Sequence, residues 1–339
     1  MKFTFPILTL CKGGAQRMLA EIVNGLTQRG HEVVVLMPLG GVVEYPLHAR
    51  LVSIRRHELR ASDYPVADYI ISNYYLTVPS AKIASAQKKG KHIRLSLCYE
   101  PVFLADNHIS LPTYHMTDKL LVLSSWQQQL LQLLHGIQPR IVQVGIRPIF
   151  RNLNIRIGRR RLVIGAIVRM PEGFASHRDQ HYLLAQLERI RQLFAHVDIH
   201  LITPPGELAA SPQLQRIQAE GKFRLFTPAG DEELCHCYNH ADIFVTSSFI
   251  ETANLPGLEA MRCGCALVAT YAGGNTDYAR HMQNCLMSYR HQHLLFSQLA
   301  LLIRNTELRH RLAREGEREA AKWTWERSLA QFEQAVRQL

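Results

Sequence analysis

The sequence predicts an α/β chain of two doubly wound lobes, and three observations carry that expectation. Apolar, β-branched runs alternate with amphipathic helices through the first half. The same alternation starts afresh after a loop rich in Arg and Asn at Phe150–Arg161. The strand runs are apolar on both sides, as in a parallel sheet covered on both faces. A length of 339 residues suits two domains of about 150 each.

In the first half, Phe3–Leu10 reads as a buried strand, Gly13-Gly14 as a tight loop and Ala15–Gln28 as a helix. That helix repeats apolar residues at Met18, Leu19, Ile22, Val23 and Leu26. Gly30 stops it, and Val33–Met37 is a β-branched strand ended by Pro38. Further strands are expected at Arg50–Ile54, Tyr69–Ser72, Ile93–Cys98 and Lys119–Leu123. The uncharged stretch Leu120–Pro139 reads as a strand and a half-buried helix, too polar to span a membrane. In the second half, strands are expected at Arg161–Val168, Val197–Ile202, Phe223–Phe226, Ile243–Thr246 and Ala266–Thr270. Helices are expected at Gln180–Phe194, Asp231–Asn239 and Leu255–Met261.

Hydrophobic residues make up 47% and charged residues 20%, which excludes a disordered chain. Pro6, Lys12 and Gly13-Gly14 break the N-terminal apolar run short of signal-peptide length, so a soluble cytoplasmic protein is expected. Seven cysteines sit inside apolar segments, as reduced thiols do; Cys235-His236-Cys237 with His240 is read as helix packing rather than a zinc site. The net charge of +11 favours anionic partners. Basic clusters occur at Arg55-Arg56, at Lys88-Lys89 with Lys91 and Arg94, and at Arg156 with Arg159-Arg160-Arg161. They lack the aromatic interleaving of nucleic-acid binders, so no nucleic-acid partner is expected. Each reads as a solvated face or, together, as a contact for an anionic membrane on its inner surface, where the chain would lie peripherally.

Open parallel sheets take ligands at the carboxyl ends of their strands. The loop Lys12-Gly13-Gly14-Ala15 offers a helix N-terminus to an anion, but lacks both the Gly-x-Gly-x-x-Gly and the P-loop spacing. Arg169, at the end of the first strand of the second half, and Arg178 after it either clamp a diphosphate or form a surface pair. The run Ser247 to Gly264 ends a strand in small polar residues, follows with Glu251, and opens a helix at Asn254 and Pro256. Gly273-Gly274-Asn275-Thr276-Asp277 repeats the strand–Gly-Gly–polar arrangement.

Glu251 and Glu259, with seven residues between them, Glu259-Ala260-Met261 with Gly264, Gly273-Gly274, and Gly13-Gly14-Ala15 through Arg29-Gly30-His31-Glu32-Val33 carry a resemblance. Over nearly its full length the chain resembles the family-4 retaining glycosyltransferases of the GT-B fold, with two Rossmann-like doubly wound domains facing a central cleft. The resemblance implies an acceptor-side domain at 1–155, a nucleotide-sugar donor domain at 156–322 and a last helix at 323–339, around Trp323, Trp325 and Glu326, that crosses back to the first domain. It implies catalytic roles for Arg169, on the diphosphate, and Glu251, on the transferred sugar. Glu259 would hold the donor ribose, and Gly14, Arg178, Thr252, Ala253, Asn254 and Leu255 would complete the donor site. Tyr99 and Glu100 are acceptor-side candidates.

No cofactor or metal is implied, only a nucleoside diphosphate sugar as co-substrate and a glycan or lipid-linked acceptor. The implied function is hexosyl transfer to a hydroxyl in bacterial polysaccharide, glycolipid or cell-envelope glycan synthesis. Thr252-Ala253-Asn254 stands where family members usually carry Gly-Phe-Gly, and Asp277 where Glu is usual. The alternative is accordingly an inactive homologue that acts as a scaffold for a partner transferase.

Overall fold

Strands β1 (Lys2–Pro6) and β2 (Glu32–Met37) bury every residue after their first, the pattern of strands with helices on both faces. They lie in the first of two units, Met1–Gly145 with Trp325–Leu339; the second is Ile146–Thr324. The structure, a computed structural model, describes residues 1–105, 107–172 and 175–339.

With β3 (Arg50–Ser53), β4 (Tyr69–Ser72), β5 (Lys91–Ser96), β6 (Leu120–Val122) and β7 (Arg140–Ile141), the first unit forms one parallel sheet in the order β3-β2-β1-β4-β5-β6-β7. The helix Gly14–Gln28 buries Met18, Leu19, Ile22, Val23 and Leu26 against it, the stripe that the spacing predicts. The expected strand Phe3–Leu10 ends at Pro6 instead. Beyond it the Leu10 amide donates to the Val42 carbonyl at 2.8 Å, and the Leu10 carbonyl accepts from the Glu44 amide. Backbone bonds to a loop have replaced the ladder.

The C-terminal helix Trp325–Gln338 belongs to this first unit. Its Phe332 ring lies 6.3 Å from Phe5 and 6.1 Å from Phe3. Gly25 lets the helix approach: a Cβ there would stand 2.2 Å from Leu329 Cδ1. Glu333 closes the contact, accepting from Arg29 Nη1 at 2.7 Å and pairing with His31 Nε2 at 2.6 Å. Trp323 stays with the second unit, edge-on to Tyr278.

The second sheet holds β8 (Leu162–Ile167), β9 (Val197–Ile202), β10 (Arg224–Phe226), β11 (Ile243–Thr246), β12 (Ala266–Thr270) and β13 (Leu286–Ser288). All pairs are parallel, in the order β10-β9-β8-β11-β12-β13. The order reverses between β8 and β11, and the crevice beyond their carboxyl ends is where such a sheet takes a ligand. The loop expected to divide the lobes at 155/156 belongs to the second unit from Ile146 onward. Arg156 explains this: its guanidinium donates to the carbonyls of Ala241 at 2.7 Å, Tyr238 at 2.9 Å and Cys263 at 3.0 Å.

The ring of Phe332 is fully buried between its helix and the β1 face. Phe332→Ala should lower the stability of the first unit by about 3–5 kcal/mol, read as a lower denaturant midpoint. A midpoint equal to wild type would show that this helix lies outside the cooperative fold of the unit.

Candidate functional site

The chain leaves β8 through Val168 into Arg169, at the β8/β11 reversal. Gln180, first residue of the helix Gln180–Leu193, grips the backbone of Arg169: its side chain accepts from the Arg169 amide and donates to the Arg169 carbonyl at 2.9 Å. The Arg169 guanidinium is paired with Glu207, Nε to Oε1 at 2.6 Å with Nη2 on the same oxygen. The Met170 amide donates to Glu207 Oε2 at 2.7 Å. Burial pushes the Glu207 carboxyl up, but these donors and the charges of Arg169 and Arg178 outweigh it and hold the group below the usual carboxylate value.

The second arginine meets the first glutamate. Arg178 Nη1 lies 3.5 Å from Glu251 Oε1, and Ser248 Oγ donates to that oxygen at 2.9 Å. His177 Nε2 stands 3.8 Å away. Burial lowers the His177 pKa, with Arg178 and Arg169 adding and Glu251 opposing, which favours a neutral imidazole. The loop after β11 is tied to this turn: Ser247 Oγ donates to the Arg178 carbonyl at 2.6 Å and the Phe249 amide to the His177 carbonyl at 2.9 Å.

Glu251 is set by the neighbouring loop after β12. Its amide donates to the Ala272 carbonyl at 2.6 Å and its carbonyl accepts from the Gly274 amide at 2.8 Å. A Cβ on Gly274 would stand 1.7 Å from the Thr252 carbonyl oxygen, so only glycine permits this approach. Asn254 then turns the chain in the left-handed region, φ 53°, and its Oδ1 accepts from the Gly257 amide at 3.2 Å as the cap of the helix Leu255–Arg262. Tyr278 Oη donates to the Asn254 carbonyl at 2.9 Å. Thr252, Ala253, Asn254 and Leu255 thus form a rigid turn into a helix start.

Glu259 lies one turn inside that helix and is 7% exposed. The phenol of buried Tyr238, on the helix Asp231–His240, donates to Glu259 Oε2 at 3.0 Å. Cys235 of the same helix is buried beside Cys263. Among the described residues, no group of three or more His, Cys, Asp or Glu is arranged to hold a metal ion.

In the first unit, Gly14 opens the helix Gly14–Gln28, with open space where a side chain would stand. The turn before it is tied by Lys12 N to Glu44 Oε2 at 2.6 Å and Gly13 N to Tyr45 Oη at 2.9 Å. Two expectations need correction here. Glu100, taken as an acceptor-side group, is 2% exposed and sits on the guanidinium of Arg94 at 2.9 and 3.0 Å, with Tyr114 Oη donating to it as well. Tyr99 is buried, its hydroxyl bonded to His135 Nε2 at 2.9 Å. A buried ion pair keeps its partners because leaving either charge alone is costly, so the Glu100 carboxylate is committed to Arg94, while the Tyr99 hydroxyl is committed to His135.

Arg94 is fully buried and therefore leaves the basic surface assigned to it. Arg156, Arg159 and Arg161 are spent inside the second unit, the last two on Asp242 and Asp198.

The sequence reading missed Glu207, His177 and Tyr238, and gave Ser248 no role beyond its place in the run Ser247 to Gly264. Ser248 and His177 are adjacent in sequence to Ser247 and Arg178, so their place was open to inspection. Glu207 and Tyr238 arrive from other loops, and no local signal marks them. Gly274→Ala should force the 251–254 turn away from its place at a cost of about 1–3 kcal/mol, read as a lower melting temperature. Wild-type stability would show that the two loops part without cost.

Residues 161–305 match the family model of glycosyl transferases group 1. A D-inositol 3-phosphate glycosyltransferase of Salinispora arenicola is 30% identical over 132 residues, which are 39% of this chain and 28% of that protein. Among solved structures, sucrose-phosphate synthase of Thermosynechococcus elongatus superposes with a TM-score of 0.82 at 14% identity, over 99% of this chain and 98% of that one. HepE of Anabaena in complex with UDP-glucose gives 0.80 at 14% identity over the whole of both chains. Among the described residues, no helix is long and apolar enough to cross a membrane. Residues 161–305, which carry Arg169, Arg178, Glu251 and Glu259, thus resemble the group 1 glycosyltransferases, in a chain whose two Rossmann-like α/β units have the GT-B fold.

Proposed function

We propose that the chain is a retaining, metal-independent glycosyltransferase of family 4. It moves a hexose-type unit from a nucleoside diphosphate sugar to a hydroxyl of a glycan or lipid-linked acceptor, in polysaccharide, glycolipid or cell-envelope glycan synthesis. The observation that carries this reading is the pairing of Glu251 with Arg178 and Ser248 at the β8/β11 reversal, one helix start ahead of Glu259. The neighbour whose structure holds UDP-glucose supports the donor class.

The roles follow from charge and position. As the glycosidic bond to the diphosphate breaks, negative charge builds on the leaving oxygen. Arg169, Arg178 and the start of the helix Leu255–Arg262 stabilise it. The acceptor hydroxyl attacks from the same face, and its proton passes to that phosphate oxygen. Glu251 accepts hydrogen bonds from the sugar hydroxyls, and Glu259, oriented by Tyr238, from the ribose.

Titration calorimetry with UDP tests the donor site. Glu259→Ala should weaken binding about ten- to a hundredfold, since hydrogen bonds to a charged group are worth about 1.5–3 kcal/mol. Glu251→Ala should bind UDP as wild type does while transfer falls. UDP binding undiminished in Glu259→Ala overturns the assignment, and binding by wild type without transfer to any acceptor would mark the inactive scaffold instead. Arg169→Ala should lower kcat by about 10²–10³, and an unchanged kcat would remove it from the mechanism.

The acceptor is placed at an anionic membrane surface, with the enzyme on the cytoplasmic side. Arg55, Lys88 and Lys91 are exposed, whereas Lys89 Nζ donates to the Ala61 and Ser62 carbonyls and Arg56 pairs with Asp63, so the first three carry this contact. Such residues contribute about 1 kcal/mol each near an anionic surface, and less as salt rises. In flotation the protein should rise with anionic vesicles at low salt and not at high salt. No binding at low salt would sink the membrane assignment alone.

A further inference from the structure

Arg169 and the Met170 amide form a phosphate-type grip, a guanidinium beside a backbone N–H at a strand end. Both are taken by one carboxylate of this chain. Glu207 Oε1 accepts from Arg169 Nε at 2.6 Å and from Nη2, and its Oε2 accepts from Met170 N at 2.7 Å. Glu207 comes from the loop beyond β9, on the short helix Pro205–Ala210, so a separate segment delivers it to the grip. The Arg169 backbone is held in both directions by Gln180, so a change of partner moves side chains alone. The contrast with Arg178 is one of tightness: that guanidinium stands 3.5 Å from Glu251.

We propose that Glu207 is an internal competitor that occupies Arg169 and the Met170 amide and sets an affinity threshold for every phosphate-bearing ligand. The inference rests on the donor-site reading above. Every anion that enters must displace the same carboxylate, a fixed cost whatever the ligand. A small anion such as phosphate or pyrophosphate has only this grip to offset it. A nucleoside diphosphate sugar is also held at its ribose and sugar, and so meets the cost. The arginine that stabilises the leaving group is thereby reserved for ligands that bind along the whole site.

Titration calorimetry with inorganic pyrophosphate and with UDP tests this on wild type, Glu207→Gln, Glu207→Ala and the control Glu172→Gln. Glu172 lies in the same loop as Met170 and accepts from Ser211 Oγ at 2.7 Å and Gln213 N at 3.1 Å rather than from Arg169 or the Met170 amide. Pyrophosphate should bind both Glu207 variants about ten- to a hundredfold tighter than wild type. It should inhibit their transfer at concentrations that leave wild type unaffected. UDP should tighten in parallel, and Glu172→Gln should match wild type. Adding Arg169→Ala to Glu207→Gln should erase the gain.

Pyrophosphate affinity in both Glu207 variants equal to or weaker than wild type, with UDP still bound, overturns the proposal. So does an equal gain in Glu172→Gln, which would show a general effect of lost negative charge. Failure of the donor-site reading looks different: UDP would then bind no protein in the series, or bind all of them regardless of Arg169.

Discussion

Two loops of the second sheet meet backbone to backbone, and the rest of the site hangs on that contact. The loop after β11 and the loop after β12 exchange the bonds of Glu251 with Ala272 and Gly274, across a gap too small for any Cβ at Gly274. Backbone bonds of this kind leave a residue little freedom, so the Glu251 carboxylate starts from a fixed origin. The turn that follows is then set by Asn254, whose left-handed conformation and cap begin the helix that carries Glu259. One close approach therefore fixes two carboxylates, and the helix start between them, relative to the sheet.

Charge at the site is arranged in opposed pairs. Arg169 faces Glu207, and Arg178 faces Glu251, within one crevice. The pairs are partly exposed, so each is worth less than its short distances suggest. Guanidiniums held by carboxylates have their side-chain freedom spent during folding rather than during binding. A ligand that replaces one carboxylate keeps the arginine's geometry and changes only its partner.

The first unit places its charges for a different purpose. Arg94, Glu100, Tyr114 and Thr113 form a fully internal network beneath the loop after β5. Burial of an ion pair stabilises little by itself, yet removal of one partner strands the other. The network therefore holds the shape of the Cys98–Pro101 turn rather than offering its side chains to a substrate. Arg156 and Arg159 are likewise held within their own unit, by carbonyls and by Asp242, while Arg161 pairs with Asp198 at the surface.

What the sequence determined by itself is what repeats at short range. Strand and helix periods, Gly30 as a helix stop, Asn254-Leu255-Pro256 as a helix start and the spacing of Glu251 from Glu259 are all local, and each stands in the structure near its expected place. The two doubly wound sheets follow from that alternation, because parallel strands need helical crossovers. Two-residue β7 and three-residue β13 escaped. Tertiary structure alone decided which charges are sites and which are struts. Arg94 lies within β5 and Arg169 just beyond the end of β8, and neither position carries a local signal of its charged partner. One is enclosed by Glu100 and Tyr114, while the other is partly exposed and paired with Glu207. That difference lies in partners brought from distant loops, Glu207 thirty-eight residues on from Arg169, and sequence patterns of a few residues carry no information about such neighbours.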